Sequence, residues 1–303
     1  MILVTGGHGF LGRWIVRELG ARPHLAPKRT ELNLLDGAAT ARYLEVNRIT
    51  QVIHAAGFVG GIGLHREHPG RVASENLLMG VNLLRAAAER AQPCHVVIVS
   101  TVCAYPEFAP IPTPEDALYD GFPAKDTAAY GLAKRELHSL AGALSAEFGM
   151  TYSYVTPTNL YGPGDHFDDK MSHVVPALIR RAHDARQAGA ESIVVWGDGT
   201  ATRDQLYVED CARGLVLAMD RVESRGEIIN LGSGHEVTIR SLAETICRHV
   251  GYRGRLEWDA TKPQGARRRA LHPDKARRLL GFEARTSLDE GLRKTIDWYL
   301  TAH

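Results

Sequence analysis

The chain opens on a short apolar run, residues 1–5, that ends in glycines. Phe10, Leu11, Trp14, Ile15 and Leu19 then fall on one side of a helix, so the start predicts strand, tight turn and helix. A helix over 37–47 and a strand over 50–55 follow. A long alanine- and leucine-rich helix covers 74–91, and the apolar run 95–100 is the next strand. Residues 127–148 read as a second long helix and 151–155 as another strand. Strand and helix periods that alternate in this way predict a parallel sheet with helices on both faces, a doubly wound α/β fold.

The texture changes after Pro157. Residues 159–169 carry Gly162, Pro163 and Gly164 among polar positions and read as a loop, as do 197–203. Around them the pattern predicts a helix over 173–188, a strand over 192–196, a helix over 208–219 and a strand over 227–231. The tail mixes short helices with an arginine-rich loop at 264–269. No internal repeat and no low-complexity linker separates the two textures. A smaller second lobe is therefore expected to interleave with the first: 1–157 with 205–232 in one, 158–204 with 233–303 in the other.

Gly6, Gly9 and Gly12 are spaced GxxGxxG directly after the first strand and at the start of a helix. Glycines there permit a tight turn and let the backbone approach a pyrophosphate at a helix N-terminus. An acidic residue after the second strand would suit the ribose hydroxyl of NAD. Lys28 and Arg29 stand there instead, with His8 inside the glycine loop. Cations suit a 2′-phosphate, which favours NADPH/NADP. Asp36, after Leu34 and Leu35, is placed to hold the adenine amino group.

Tyr130 and Lys134 are four apart and share one face of a helix. A phenol titrates near 10 and is a poor base at neutrality. An ammonium beside it is expected to lower that value and to anchor a ribose. Such a phenol can exchange a proton with a carbonyl oxygen while a nicotinamide exchanges hydride. Thr101, at the end of the 95–100 strand, can hydrogen-bond the same oxygen.

Composition narrows the setting. With 303 residues and 44% hydrophobic content there is material for a substantial core, and the net charge of +1 gives no field that points to nucleic acid or an anionic membrane. No stretch approaches the roughly 18 apolar residues of a membrane span, and the start lacks the pattern of a signal peptide. Cys94, Cys103, Cys211 and Cys247 lie far apart, without zinc-ligand or redox-pair spacing, which fits a reducing, cytoplasmic setting. His65 and His68 have no evident third ligand. They read as surface residues, and no metal is expected.

These features resemble the extended, sugar-nucleotide branch of the short-chain dehydrogenase/reductase superfamily, over nearly the whole chain. "HAAG" at 54–57 and "PTNLYGPGD" at 157–165 are similar to that branch as well. The resemblance implies a Rossmann domain that binds NADP and a lobe that binds a sugar nucleotide. It implies catalytic roles for Thr101, Tyr130 and Lys134. Cofactor contacts are implied for Gly6, His8, Gly9, Phe10, Gly12, Lys28, Arg29, Asp36, Ala55, Ala56, Pro157, Asn159, Leu160 and His173, together with Tyr130 and Lys134.

A tyrosine–lysine pair leaves Cys103 without a task. In a sugar with a ketone at C4, the C–H bonds at C3 and C5 are acidified, and inversion there needs a base and an acid beyond the tyrosine. Cys103 is one candidate, since a cationic setting raises the thiolate fraction. His173 is the natural second, because imidazole titrates in the useful range. "ELNLLD", "VGGI", "CAYP", "SHVVPALIRR", "VVWGDGT" and "DATKPQG" narrow the likeness to the GDP-L-fucose synthase family. That family carries out 3,5-epimerisation and 4-reduction of GDP-4-keto-6-deoxy-D-mannose with NADPH. The resemblance implies that Cys103 and His173 are the epimerisation pair. It implies further that Val59, Gly60, Asn159, Arg181, Trp196, Arg203 and Arg269 help to hold the GDP-sugar. A homodimer packed through the helices at 74–91 and 127–148 is implied too. Thr101 stands where the family carries serine, His8 where it carries arginine, Arg269 where it carries lysine and His272 where it carries an acid. A related GDP-4-keto heptose, epimerisation or reduction alone, and a non-catalytic NADP-binding sensor are the competing readings. Retention of Tyr130 and Lys134 argues against the sensor.

Overall fold

Short runs of β-branched residues that are buried on both faces form the interior of a parallel sheet. They are β1 (Ile2–Thr5), β3 (Gln51–His54), β4 (His95–Val99), β5 (Thr151–Pro157) and β9 (Ile228–Leu231). The computed structural model describes residues 1–168, 172–261 and 265–302. Asp169, the end of the expected 159–169 loop, and Gln264, the start of the arginine-rich loop, lie outside the described residues.

The remaining elements follow in chain order between and after these strands. The first half adds α1 (Phe10–Leu19), β2 (His24–Leu25), α2 (Gly37–Val46), α3 (Ile62–Glu67), α4 (Pro69–Ala88) and α5 (Ala128–Phe148). The second adds β6 (Asn159–Tyr161), α6 (Val174–Ala188), β7 (Ser192–Trp196), β8 (Thr202–Tyr207) and α7 (Val208–Asp220). The tail holds β10 (Glu236–Thr238), α8 (Ile239–Val250), β11 (Arg255–Asp259), β12 (Arg268–Arg269), α9 (Asp274–Leu280) and α10 (Leu288–Ala302).

The central sheet has six strands in the order β2-β1-β3-β4-β5-β9, each pair parallel. Because side chains alternate along a strand, Val52, Val96 and Ile98 enter one core with Leu44, Leu83 and Leu137. Ile53, Val97 and Val99 enter the other with Ile15, Leu215 and Phe282. The doubly wound arrangement expected from the sequence is therefore present. In α4, Gly80 lets Leu137 of α5 come so close that a Cβ would sit 2.4 Å from its methyl groups. A third core, with Ile179, Ile193, Ile246 and Ile296, joins α6, α8 and α10 to β7.

Two expected loops contain strands. β6 pairs parallel with one end of β8, Asn159 opposite Gln205, and β12 pairs parallel with its other end, Arg269 opposite Arg203. Such pairing joins residues far apart in the chain, so no local period announces it. The tail also holds two full helices, α8 and α10, rather than short ones only. No helix among the described residues is long and apolar enough to cross a membrane.

Candidate functional site

Strand order reverses at β1, which has β2 on one side and β3 on the other. In sheets of this kind the crevice beyond the carboxyl ends of the strands at that point is where ligands bind. Gly6 follows β1 there with φ +70, and a Cβ on it would meet the Ala56 backbone at 2.8 Å. A Cβ on Gly12 would lie 1.9 Å from the Gly6 carbonyl oxygen. Both glycines are thus demanded by close backbone approach. Gly9 stands at the N-cap of α1 in extended conformation, with no side chain bonded to the first amides, and Phe10 begins the helix. Those amides are left for an anion. His8 Nε2 donates to the Ala26 carbonyl at 2.9 Å, tying the glycine loop to the segment after β2. Lys28 and Arg29 are exposed just beyond. Ala55 and Ala56 follow β3. These residues fit a dinucleotide pyrophosphate with cations near its ribose. Asp36 Oδ1 accepts from the Ala39 amide at 2.9 Å and caps α2, while the side chain stays exposed.

The acid–base residues come together at the carboxyl end of β4. Thr101 caps a single turn, Val102–Ala104, by accepting the Cys103 amide at 3.2 Å. α5 lies across that turn. Gly131 makes the crossing possible, because a Cβ there would be 2.1 Å from the Cys103 carbonyl oxygen. Lys134, 3% exposed, donates to the Val99 carbonyl at 3.0 Å. Arg135 is also buried; its Nε donates to the Ala104 carbonyl at 3.0 Å and its Nη1 to the Gly121 carbonyl at 2.8 Å. Sequence reasoning passed over Gly131 and Arg135. The available signal was two cations, Lys134 and Arg135, on an otherwise apolar stretch of helix.

Electrostatics at this point differ from the expectation. Burial pushes the Tyr130 phenol above its ordinary range, and a charge on Cys103 would push it further. Burial also draws the Lys134 ammonium down to about 8. The phenol is not lowered by the ammonium, because taking phenolate out of water costs more than its neighbour returns. Tyr130 is therefore a neutral phenol able to give a proton. Cys103 is half-buried, and Arg269 Nη1 lies 3.5 Å from its sulfur in hydrogen-bonding geometry. Arg269 reaches this point from β12. Beside it in register is Arg203, whose guanidinium falls to about 10 through burial and the charge of Arg269.

His173 is the N-cap of α6 and makes no side-chain capping bond. Its side chain is exposed, yet enough of the protein surrounds the ring that burial lowers its imidazole, with further lowering from His65 and His166. His65 corrects the sequence reading. It is 7% exposed and its ring centroid lies 5.4 Å from that of Tyr130, whereas His68 is exposed as expected. Helix α3, too short to stand out from its period, carries it inward.

The remaining residues lie on α6, β7, β6 and the segment that leads into α3. Arg181 lies over the Trp196 ring at 5.6 Å, with that indole 48% exposed at the end of β7. Asn159 Nδ2 donates to the Asp204 carbonyl at 3.1 Å, between Pro157, which ends β5, and Leu160 in β6. Val59 is exposed and Gly60 buried in the segment that leads into α3.

A model of the NAD dependent epimerase/dehydratase family matches residues 2–232. The chain is similar to GDP-L-fucose synthase 1 of Arabidopsis thaliana, 38% identical with 99% of this chain and 93% of the relative covered. It is 35% identical to GDP-L-fucose synthase of Escherichia coli K12, over 99% of this chain and 96% of the relative. A solved structure of a GDP-L-fucose synthetase from Naegleria fowleri bound to NADP superposes with a TM-score of 0.87 at 27% identity, covering 99% of this chain and 94% of that one. With a crevice of the right construction and matches that span the chain, the protein belongs to the NAD dependent epimerase/dehydratase family.

Proposed function

We propose that the protein is an NADPH-dependent epimerase–reductase that converts GDP-4-keto-6-deoxy-D-mannose to GDP-L-fucose. It inverts C3 and C5 and reduces C4. The observation that carries this reading is that Cys103 shares a site with the Tyr130–Lys134 pair. Its side chain packs against the cluster that holds Tyr130, and Arg269 hydrogen-bonds its sulfur. A plain reductase needs the tyrosine and lysine but no thiol at this place.

Cys103, as thiolate, removes the proton next to the C4 carbonyl, and the enolate electron pair rests on the carbonyl oxygen. His173 returns a proton to the opposite face, which inverts the carbon. Burial makes the His173 imidazolium a stronger acid, while reducing its population at neutral pH. Thr101 Oγ1 already accepts the Cys103 amide, so its own hydroxyl proton is free to bond the same carbonyl oxygen. NADPH, when bound, supplies the hydride that reduces C4. Tyr130, a neutral phenol, gives the proton that the new C4 oxygen requires. Arg181, Trp196 and Arg203 are suited to the nucleotide and its diphosphate, since a guanidinium fork matches phosphate oxygens.

Similarity to GDP-L-fucose synthases of Arabidopsis thaliana and Escherichia coli supports this substrate. A GDP-4-keto heptose is the alternative. A cytoplasmic homodimer joined through α4 and α5 is part of the same reading. Product NMR from GDP-4-keto-6-deoxy-D-mannose with NADPH in D₂O tests it. Deuterium at C3 and C5 of an L-galacto product is expected. Reduced product without deuterium would leave a simple 4-reductase.

A further inference from the structure

Cys103 and Arg269 meet at the site but lie 166 residues apart in the chain, so their two segments must be held in register. The link runs through one buried amide. Asn230, near the end of β9, is 0% exposed. Tyr105, which follows closely on Cys103, donates its hydroxyl to Asn230 Oδ1 at 2.6 Å. Asn230 Nδ2 donates to the Thr113 carbonyl at 3.0 Å, and its backbone amide donates to Glu115 Oε1 at 3.0 Å. Thr113 in turn donates its amide to the Ala270 carbonyl at 2.9 Å and accepts the His272 amide at 3.0 Å. Between those two residues Leu271, opposite Thr113 in a parallel bridge, is buried in the first core. Arg269 directly precedes Ala270, and its guanidinium reaches the Cys103 sulfur at 3.5 Å.

We propose that Asn230 is a positioning residue that sets Arg269 against the Cys103 sulfur. Its acceptor holds the Cys103 segment, and its donor holds the segment paired with that of Arg269. The two arms cannot be exchanged. A backbone carbonyl only accepts, so Nδ2 faces Thr113 and Oδ1 is left for the Tyr105 hydroxyl. Filling the volume would need only an apolar side chain of this size, whereas a bonded, buried amide specifies one arrangement of the segments it joins. A cation beside a thiol favours the thiolate. The register that Asn230 sets therefore bears on the base of the proposed reaction.

Two variants cut the link. Asn230→Leu removes both arms and keeps the size; Tyr105→Phe removes one hydroxyl and carries the test alone if Asn230→Leu does not fold. Cys94, Cys211 and Cys247 are buried, so Cys103 is the thiol in reach of a reagent. Its alkylation by iodoacetamide near neutral pH, located by peptide mass, is expected to slow about threefold or more in either variant. The same changes are then made in an Arg269→Leu background. There they should alter the alkylation rate by less than about twofold, because the partner they position is gone. At saturating substrate, C–H exchange in D₂O should fall about tenfold in Tyr105→Phe while reduction of the uninverted ketone is retained. Only this exchange readout rests on the proposed reaction. Slowed alkylation with unchanged exchange would uphold the register and count against Cys103 as the base, so the two failures stay apart. Alkylation at the wild-type rate in Tyr105→Phe, or a slowing of the same size with and without Arg269, would overturn the inference.

Discussion

Gly131 rests on the carbonyl oxygen of Cys103. A Cβ at Gly131 would lie 2.1 Å from that oxygen, far inside contact distance, and the obstacle is backbone. The one-residue gap between the phenol of Tyr130 and this crossing point couples helix packing to the chemistry. Gly131→Ala is expected to lose at least about a hundredfold in turnover by shifting Tyr130 relative to Cys103, and about 1–3 kcal/mol of stability from overpacking. Gly142→Ala, in the same helix with only an ordinary contact to the Tyr152 hydroxyl at 3.4 Å, should gain about 0.5–1 kcal/mol. Thermal melts and steady-state rates of the two variants check this. Equal losses in both would mean that the crossing is not special.

Lys134 sets the expected basic limit of activity. Burial lowers its ammonium to about 8, while the Tyr130 phenol is raised. The charge that anchors a ribose is therefore present below about pH 8 and lost above it. The profile of kcat/KM for NADPH should fall as pH rises through that value, because kcat/KM reports the free enzyme. Lys134→Arg, which keeps its charge, should move the falling limb upward. A wild-type profile that is flat to pH 10 would rule out this assignment.

Cys103 and Tyr130 should separate by mutation. Cys103→Ser is expected to reduce deuterium incorporation at C3 and C5 at least about a hundredfold, the typical worth of an acid–base group. Reduction of the uninverted ketone should persist. Tyr130→Phe should do the reverse, losing reduction and retaining exchange. Loss of both activities in either variant would count against the division of labour.

Stability should fall in mild acid. His54, 1% exposed and bonded at Nδ1 to the Thr5 hydroxyl at 2.8 Å, is lowered to about 3, and His95 to about 4. Burial is the main cause in both. Both are lower in the folded state than the usual 6.5, so between these values the unfolded chain binds more protons. Their contribution is complete above about pH 6.5 and declines as pH falls toward 4, by about 1.4 kcal/mol per pH unit for each histidine. Denaturant melts from pH 7 to 4.5 measure the slope. His95→Gln should flatten it.

The alternating elements of the first half, the glycine loop and the Tyr130–Lys134 spacing are legible in the sequence, because each is a local pattern of period, turn chemistry or helix face. The sequence also singled out Cys103 and His173, through motifs that the chain shares with a family. The pairing of β6 and of β12 with β8 emerges only in the folded chain, since parallel partners come from distant segments. The tertiary structure placed Arg269 beside Cys103 by that same pairing. It turned His65 inward against Tyr130, where six residues of helix were too few to show a period. And it reversed the expected effect on the phenol: the four-residue spacing brings an ammonium to the same face, but the energy of burying both groups depends on everything packed around them.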